Sequence, residues 1–267
     1  MAAKGWDWKP KDGARGGLLY ESGNWGDVLK ALWVIETLGW KRSVTEIVNY
    51  FDPFAGDVVY PLGSKVLWRL REIALPQLEF LGPAFIDSGH WPSSASIAGE
   101  LANGVKEVFD LNEIRRGNWR SVKGFEVREG ESAWTVLAEK SPDAAAVWLL
   151  DPYDFIADWR RHLELVVEKS RDVSILVYIY NRSAFGREAF REYRAFRRAL
   201  EDLLGDRPRR TGRIPADVFL PRAHHEMLFL PSGADAAHSA YAGLENRLRE
   251  ATLGLARAME HLAAFDF

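Results

Sequence analysis

The sequence predicts a doubly wound, Rossmann-like α/β fold, and three observations carry that expectation. Short apolar runs alternate with stretches of helical period, the pattern of βαβ units around a mostly parallel sheet. Three of those runs pass directly into an acid, at Asp52, Asp110 and Asp151, as buried parallel strands do when they reach a ligand crevice. The last two runs lie too close together for a crossover helix, so a seven-stranded sheet with antiparallel last strands is expected.

The elements follow in chain order. Residues 1–22 are rich in glycine and basic side chains without a helical or alternating period, so they read as an arm on one domain spanning residues 23–267. Residues 27–38 place Val28, Leu32 and Ile35 at helical spacing, with Asn24 as N-cap and Gly39 as the stop. Residues 47–51 form an apolar run ending at Asp52-Pro53, and residues 65–81 are helix-like until Pro76. Further strands are expected at 106–110, 124–127, 146–150 and 173–180. Residues 185–204 form an amphipathic helix with Phe185, Ala189, Tyr193, Phe196, Leu200 and Leu203 on one face. Strands at 217–220 and 226–230 pair at an edge, and Leu244, Leu248, Leu255, Met259 and Leu262 mark a closing helix.

Composition narrows the function classes. The 267 residues are 47 % hydrophobic and contain no cysteine, so a large core is available while disulfides and thiolate metal sites are excluded. No run approaches the roughly 18 uncharged apolar residues of a membrane span, and the N-terminus lacks a secretory pattern; a cytoplasmic protein without membrane contact is expected. The net charge of −3 argues against a surface that grips phosphate throughout. Residues 182–213 nevertheless carry ten arginines against five acids, which is either a solvated helix face or a patch for nucleic acid, RNA included.

The acids carry the chemistry. Asp52, Asp110 and Asp151 follow strands directly, and Glu129-Gly130 follows another after one residue. Any one of them alone reads more readily as a helix N-cap. In series they deliver carboxylates to one sheet edge, where a nucleoside ligand uses one acid for its ribose hydroxyls and another for its base.

On these residues the chain resembles the RlmJ-type methyltransferases, which use S-adenosyl-L-methionine (AdoMet) to methylate N6 of an adenine in 23S ribosomal RNA. The run Gly23-Asn24-x-x-Asp27-Val28-Leu29-Lys30, Asp52-x-x-Ala55-Gly56, Asp110, Glu129-Gly130 and Leu150-Asp151-Pro152 recur in the family's order over roughly residues 20–230. The resemblance implies the AdoMet methyltransferase fold, with Asp52, Ala55, Gly56 and Ser94 beside the methionine part of the cofactor and Lys30 in the helix flanking the pocket. It implies Asp110 on the ribose, Glu129 and Gly130 on the adenine, and Asp151, Pro152 and Tyr153 as the catalytic segment that accepts hydrogen bonds from the target amine. Phe155 would offer an aromatic face, and Arg194 and Arg197 would meet the nucleic acid substrate.

The family's Asp-Pro-Pro-Tyr is Asp151-Pro152-Tyr153-Asp154 here, and where its N-terminal arm presents a tyrosine and histidines to RNA this chain has Gly16-Gly17-Leu18-Leu19-Tyr20-Glu21-Ser22, so most of that chemistry is missing. Two functions therefore stay open: a methyltransferase acting on an amino group of a nucleobase, and a non-catalytic binding or scaffold protein derived from one. No metal site is expected, because His224-His225-Glu226 in a strand would place only His224 and Glu226 on one face. The eleven tryptophans read as core or as stacking surfaces.

Overall fold

The computed structural model describes residues 24–61, 90–152, 155–183, 186–216 and 223–263. Helix α1 (Trp25–Val44) leads into β1 (Asn49–Asp52) and a small antiparallel ribbon of β2 (Val59–Pro61) and β3 (His90–Pro92). Then come α2 (Ser94–Leu101), β4 (Lys106–Val108), α3 (Glu113–Arg120), β5 (Glu126–Val127), α4 (Ala133–Glu139) and β6 (Ala146–Leu150). The chain continues with α5 (Phe155–Lys169), β7 (Ser174–Asn181), α6 (Arg187–Leu204), β8 (Arg210–Pro215), β9 (His224–Leu230), α7 (Gly233–Ala237) and α8 (Tyr241–Ala263).

The main sheet has seven strands in the order β5-β4-β1-β6-β7-β9-β8. Strands β5, β4, β1, β6 and β7 run parallel, while β9 runs antiparallel to both its neighbours. The chain winds outward from β1 in one direction and from β6 in the other, so the switch point lies between those two strands. The expected doubly wound sheet with antiparallel last strands is what the chain forms.

Side-chain alternation builds two cores. Along β6, Val147 and Leu149 join Leu176, Met227 and Phe229 under α1, α2 and α8. Ala146, Trp148 and Leu150 join Ile175, Val177 and Leu228 under α5 and α6. A strand buried on both faces needs an unbroken apolar run, which 146–150 supplies.

Several boundaries differ from expectation. Helix α1 passes through Gly39 to Val44, because Trp40 and Lys41 anchor the next turn: the Trp40 indole donates to the Ala240 carbonyl and Lys41 pairs with buried Asp235. On α6, Leu204 is buried in place of the half-exposed Leu203. The strand that pairs with β9 is 210–215, and residues 217–220 lie outside the described residues. So do the arm, the helix expected at 65–81, Phe185, and Tyr153 with Asp154.

Candidate functional site at the sheet switch point

Strand parity aims the acids. Asp52 shares the face of Tyr50, and Asp151 that of Leu149, which is the α1 face in both cases. Both carboxylates therefore project from the carboxyl edge at the switch point toward the first turns of α1. That helix is held at the required angle by its cap: the Asn24 side chain accepts from the Gly26 and Asp27 amides, and Asp27 accepts in return from the Asn24 amide. Three residues after Asp27, Lys30 stands on the same side of the helix and meets the strand ends.

The Lys30 ammonium pairs with Asp27 at 2.7 Å and with Asp151. It also lies 4.7 Å from the centre of the Tyr178 ring. Lys30 and Asp27 are nearly sealed from solvent, and the Asp151 carboxylate is a fifth exposed. Burial raises the Asp151 carboxyl above the ordinary range, while Lys30 opposes the rise. Asp52 accepts from the Phe54 amide at 2.8 Å and the Tyr50 hydroxyl at 3.1 Å. Burial still pushes it up to about 7, and neighbouring Asp151 adds to the rise.

Asp27, Lys30, Asp52, Ala55, Ser94 and Asp151 line one narrow crevice, with Phe54, Tyr60, Trp91 and Ser93 completing its wall. Gly56 sits beside it at φ +65°, and a Cβ there would fall 1.8 Å from the Tyr60 hydroxyl, so glycine is required twice over. Ser93 rather than Ser94 caps α2, accepting from the Ser96 amide. Below Lys30, the Tyr178 hydroxyl and His225 Nδ1 are 2.6 Å apart. Burial holds His225 down at about 4, and its ring also bonds the backbone of Ala216. The neutral imidazole therefore accepts at Nδ1 and the phenol donates, which fixes the ring under the ammonium.

The other expected site residues divide. Asp110 lies two residues past β4, with one oxygen accepting from the Asn112 amide at 2.7 Å and the other 3.4 Å from Arg115. Glu129 turns outward onto Arg120 and is mostly exposed. Gly130 packs on Val136, leaving no room for a Cβ. Pro152 is buried. Phe155 is core, packed on Trp134 and Phe196. Arg194 is exposed over Phe190, while Arg197 is drawn onto buried Glu226. Among the described residues no group of three or more His, Asp or Glu side chains is placed to hold a metal ion, and no helix is long and apolar enough to cross a membrane.

Sequence reasoning gave no place at the crevice to Tyr60, Trp91 or Tyr178, and it weighed His225 only as part of a metal candidate. Tyr178 was findable, since it shares parity with Leu176 and continues β7 past the end of β6. The ribbon that brings Tyr60 and Trp91 together has no local signature.

The crevice thus offers three carboxylates against one ammonium. Chemically it can balance positive charge on an organic ligand and accept hydrogen bonds from an amine.

No family model matches the sequence, and no curated protein matches it. Among solved structures, protein LPL1258 from Legionella pneumophila, of the family DUF519, is similar at a TM-score of 0.65. It is 11 % identical, and the match covers 92 % of this chain and 94 % of that one. Lower similarities include the plantazolicin methyltransferase BpumL in complex with SAH, at TM-score 0.40, 12 % identity and coverage of 77 % and 85 %. The Synechocystis magnesium protoporphyrin IX methyltransferase ChlM with bound SAM follows at 0.36, 9 %, 77 % and 81 %. The first match shows a common fold along nearly the whole chain; the other two scores are too low to bear an argument.

Proposed function

We propose that this chain is an AdoMet-dependent methyltransferase acting on an amino group of a nucleobase. The carrying observation is the crevice between β1 and β6, where Asp52 and Asp151 converge on Lys30 at the place where doubly wound sheets bind nucleotides. The resemblance to the RlmJ-type enzymes, carried by the Gly-Asn-x-x-Asp-Val-Leu-Lys run and the acids at the strand ends, gives the substrate class.

The residues fit the cofactor best at its methionine end. A crevice with more carboxylate than ammonium charge favours a ligand carrying a sulfonium and an α-ammonium group. Asp110 keeps one oxygen against an interaction at the outer limit of hydrogen bonding, open to a pair of ribose hydroxyls. Glu129 is held away by an exposed ion pair of a kind worth about 0–1 kcal/mol, so turning back toward an adenine costs little. When bound, the cofactor supplies an electrophilic methyl group. Asp151 and the Pro152 backbone orient the acceptor amine, Lys30 keeps Asp151 ionised against burial, and the exposed arginines of residues 182–213 meet RNA.

Calorimetric titration with AdoMet tests the reading. Micromolar binding that Asp110→Ala abolishes supports it, and no heat at millimolar cofactor sinks it. One observation favours the second reading, a non-catalytic derivative: the Lys30 ammonium already occupies the carboxylate that would accept the amine. Cofactor binding without transfer of a labelled methyl group to any amino-bearing RNA would decide for it.

A further inference from the structure

Glu226 is fully buried on the face of β9 that packs under α6, a costly place for a carboxylate. It is satisfied from three sides. The Tyr193 hydroxyl donates at 2.7 Å, Arg213 at 3.0 Å and Arg197 at 3.2 Å. Two guanidinium groups on one carboxylate leave one positive charge in excess. Each arginine spends only one terminal nitrogen on Glu226, and Arg213 uses that same nitrogen to donate to Tyr193 at 2.6 Å. Arg197 likewise turns that nitrogen to the Thr211 hydroxyl at 3.4 Å, and the remaining guanidinium nitrogens of both groups have no acceptor among the described residues. Arg213 remains 43 % exposed and Arg197 27 %. A buried carboxylate thus fixes two planar forks whose outer edges face water, the arrangement that presents paired donors to an oxyanion.

The surface beside this pair has the same sign. Arg187, Arg191, Arg194 and Arg198 recur at i, i+4, i+7 and i+11 and are all exposed, so they form one line along α6, about 16 Å long at the helical rise. The helix's early acids lie on another side, where Glu192 pairs with Arg160 of α5. In a chain of net charge −3, this segregation makes a local track for a polyanion.

We infer that Arg213 and Arg197, held by Glu226, bind a backbone phosphate of an RNA strand that runs along the arginine line of α6. The inference rests on the nucleobase reading for its choice of RNA over an acidic peptide, but the site lies on the opposite face of β9 from His225 and the Lys30 crevice.

The test is fluorescence anisotropy of a short labelled single-stranded RNA, with inorganic phosphate or chloride as competitor at equal ionic strength. The intact protein is expected to bind the RNA and to release it to phosphate more readily than to chloride. Arg213→Gln is expected to weaken binding about tenfold, to flatten the log–log salt slope by about 0.7 for each phosphate it no longer neutralises, and to remove the preference for phosphate. Arg213→Lys retains a charge for Glu226 without the fork and guards against a folding defect; it should lose the same preference. Calorimetry of both variants with AdoMet should match the unmodified chain, so a failure of the cofactor reading is seen separately. The inference is overturned if the unmodified chain does not bind RNA, if both variants bind as it does, if phosphate and chloride compete equally, or if polyglutamate binds as tightly.

Discussion

Lys30 is the residue on which the crevice turns, because its one ammonium pairs with both Asp27 and Asp151 in a buried helix. Lys30→Met removes one partner of a buried cluster without removing the others. A loss of about 3 kcal/mol is expected at neutral pH, at the low end for such pairs because Asp151 retains access to water. Urea unfolding should show that loss shrinking near pH 4, where the orphaned carboxylates accept protons; a loss independent of pH would contradict the electrostatic account. Asp52 makes the complementary case. Its folded value of about 7 exceeds the ordinary carboxyl value of about 3.9, so the native state binds more protons between these limits. Stability from this group is therefore full below about pH 4 and is lost as pH rises toward 7. His225, lowered to about 4, has the opposite sign, with stability lost as pH falls from about 6.5, and the two partly cancel in the unmodified protein. The informative quantity is the difference between Asp52→Asn and the unmodified chain. In thermal melts that difference should shift in the variant's favour from pH 4 to 7 and then level off, and a difference that is flat or falls over that range would contradict the assignment.

At the scale of elements, α1 shows what a sequence does and does not announce. Its start is legible because the cap is local: Asn24 and Asp27 bond each other's backbone within one turn. Its end is not, because what carries the helix past Gly39 is Trp40 and Lys41 meeting residues about two hundred positions away. The same division holds for the site. Parity makes the convergence of Asp52 and Asp151 readable from their strands, whereas the outward turn of Glu129 depends on Arg120 in the preceding helix. The two glycines of α1 give a paired prediction. At Gly39 a Cβ meets nothing within 4 Å, so Gly39→Ala should stabilise by about 0.5–1 kcal/mol through helix propensity alone. At Gly26 the same atom would fall 2.4 Å from the Tyr178 hydroxyl and 2.6 Å from His225 Nδ1. Gly26→Ala should therefore destabilise despite its better propensity, and it should weaken AdoMet binding by displacing the ring beneath Lys30. Denaturant midpoints that move the same way in both variants would refute the packing argument.

Across the whole molecule, the sheet order follows from the alternation of runs, since right-handed crossovers from two adjacent central strands leave few arrangements. What the alternation leaves open is how the ends of the chain are tied to the middle. Lys41, late in α1, donates to both oxygens of Asp235 in α7, at 2.6 and 2.7 Å. Asp235 also accepts from the Ser174 hydroxyl at the start of β7, at 2.5 Å. This buried triad joins the first helix, a central strand and the C-terminal region, at the end of α1 remote from the crevice. Because desolvation offsets much of the attraction in such a pair, its value lies in the penalty for breaking it rather than in net stabilisation. Lys41→Met alone leaves Asp235 buried without a cation and should cost about 3–5 kcal/mol. Replacing both, Lys41→Met with Asp235→Leu, removes the stranded charge, and Ser174 still accepts from the Ser232 amide at 3.0 Å. The double variant should therefore recover most of the loss when the unmodified chain, Lys41→Met, Asp235→Leu and the double variant are compared by urea unfolding. If it instead loses as much as the two single changes added together, Lys41 and Asp235 act independently and the triad does not join the two ends of the chain.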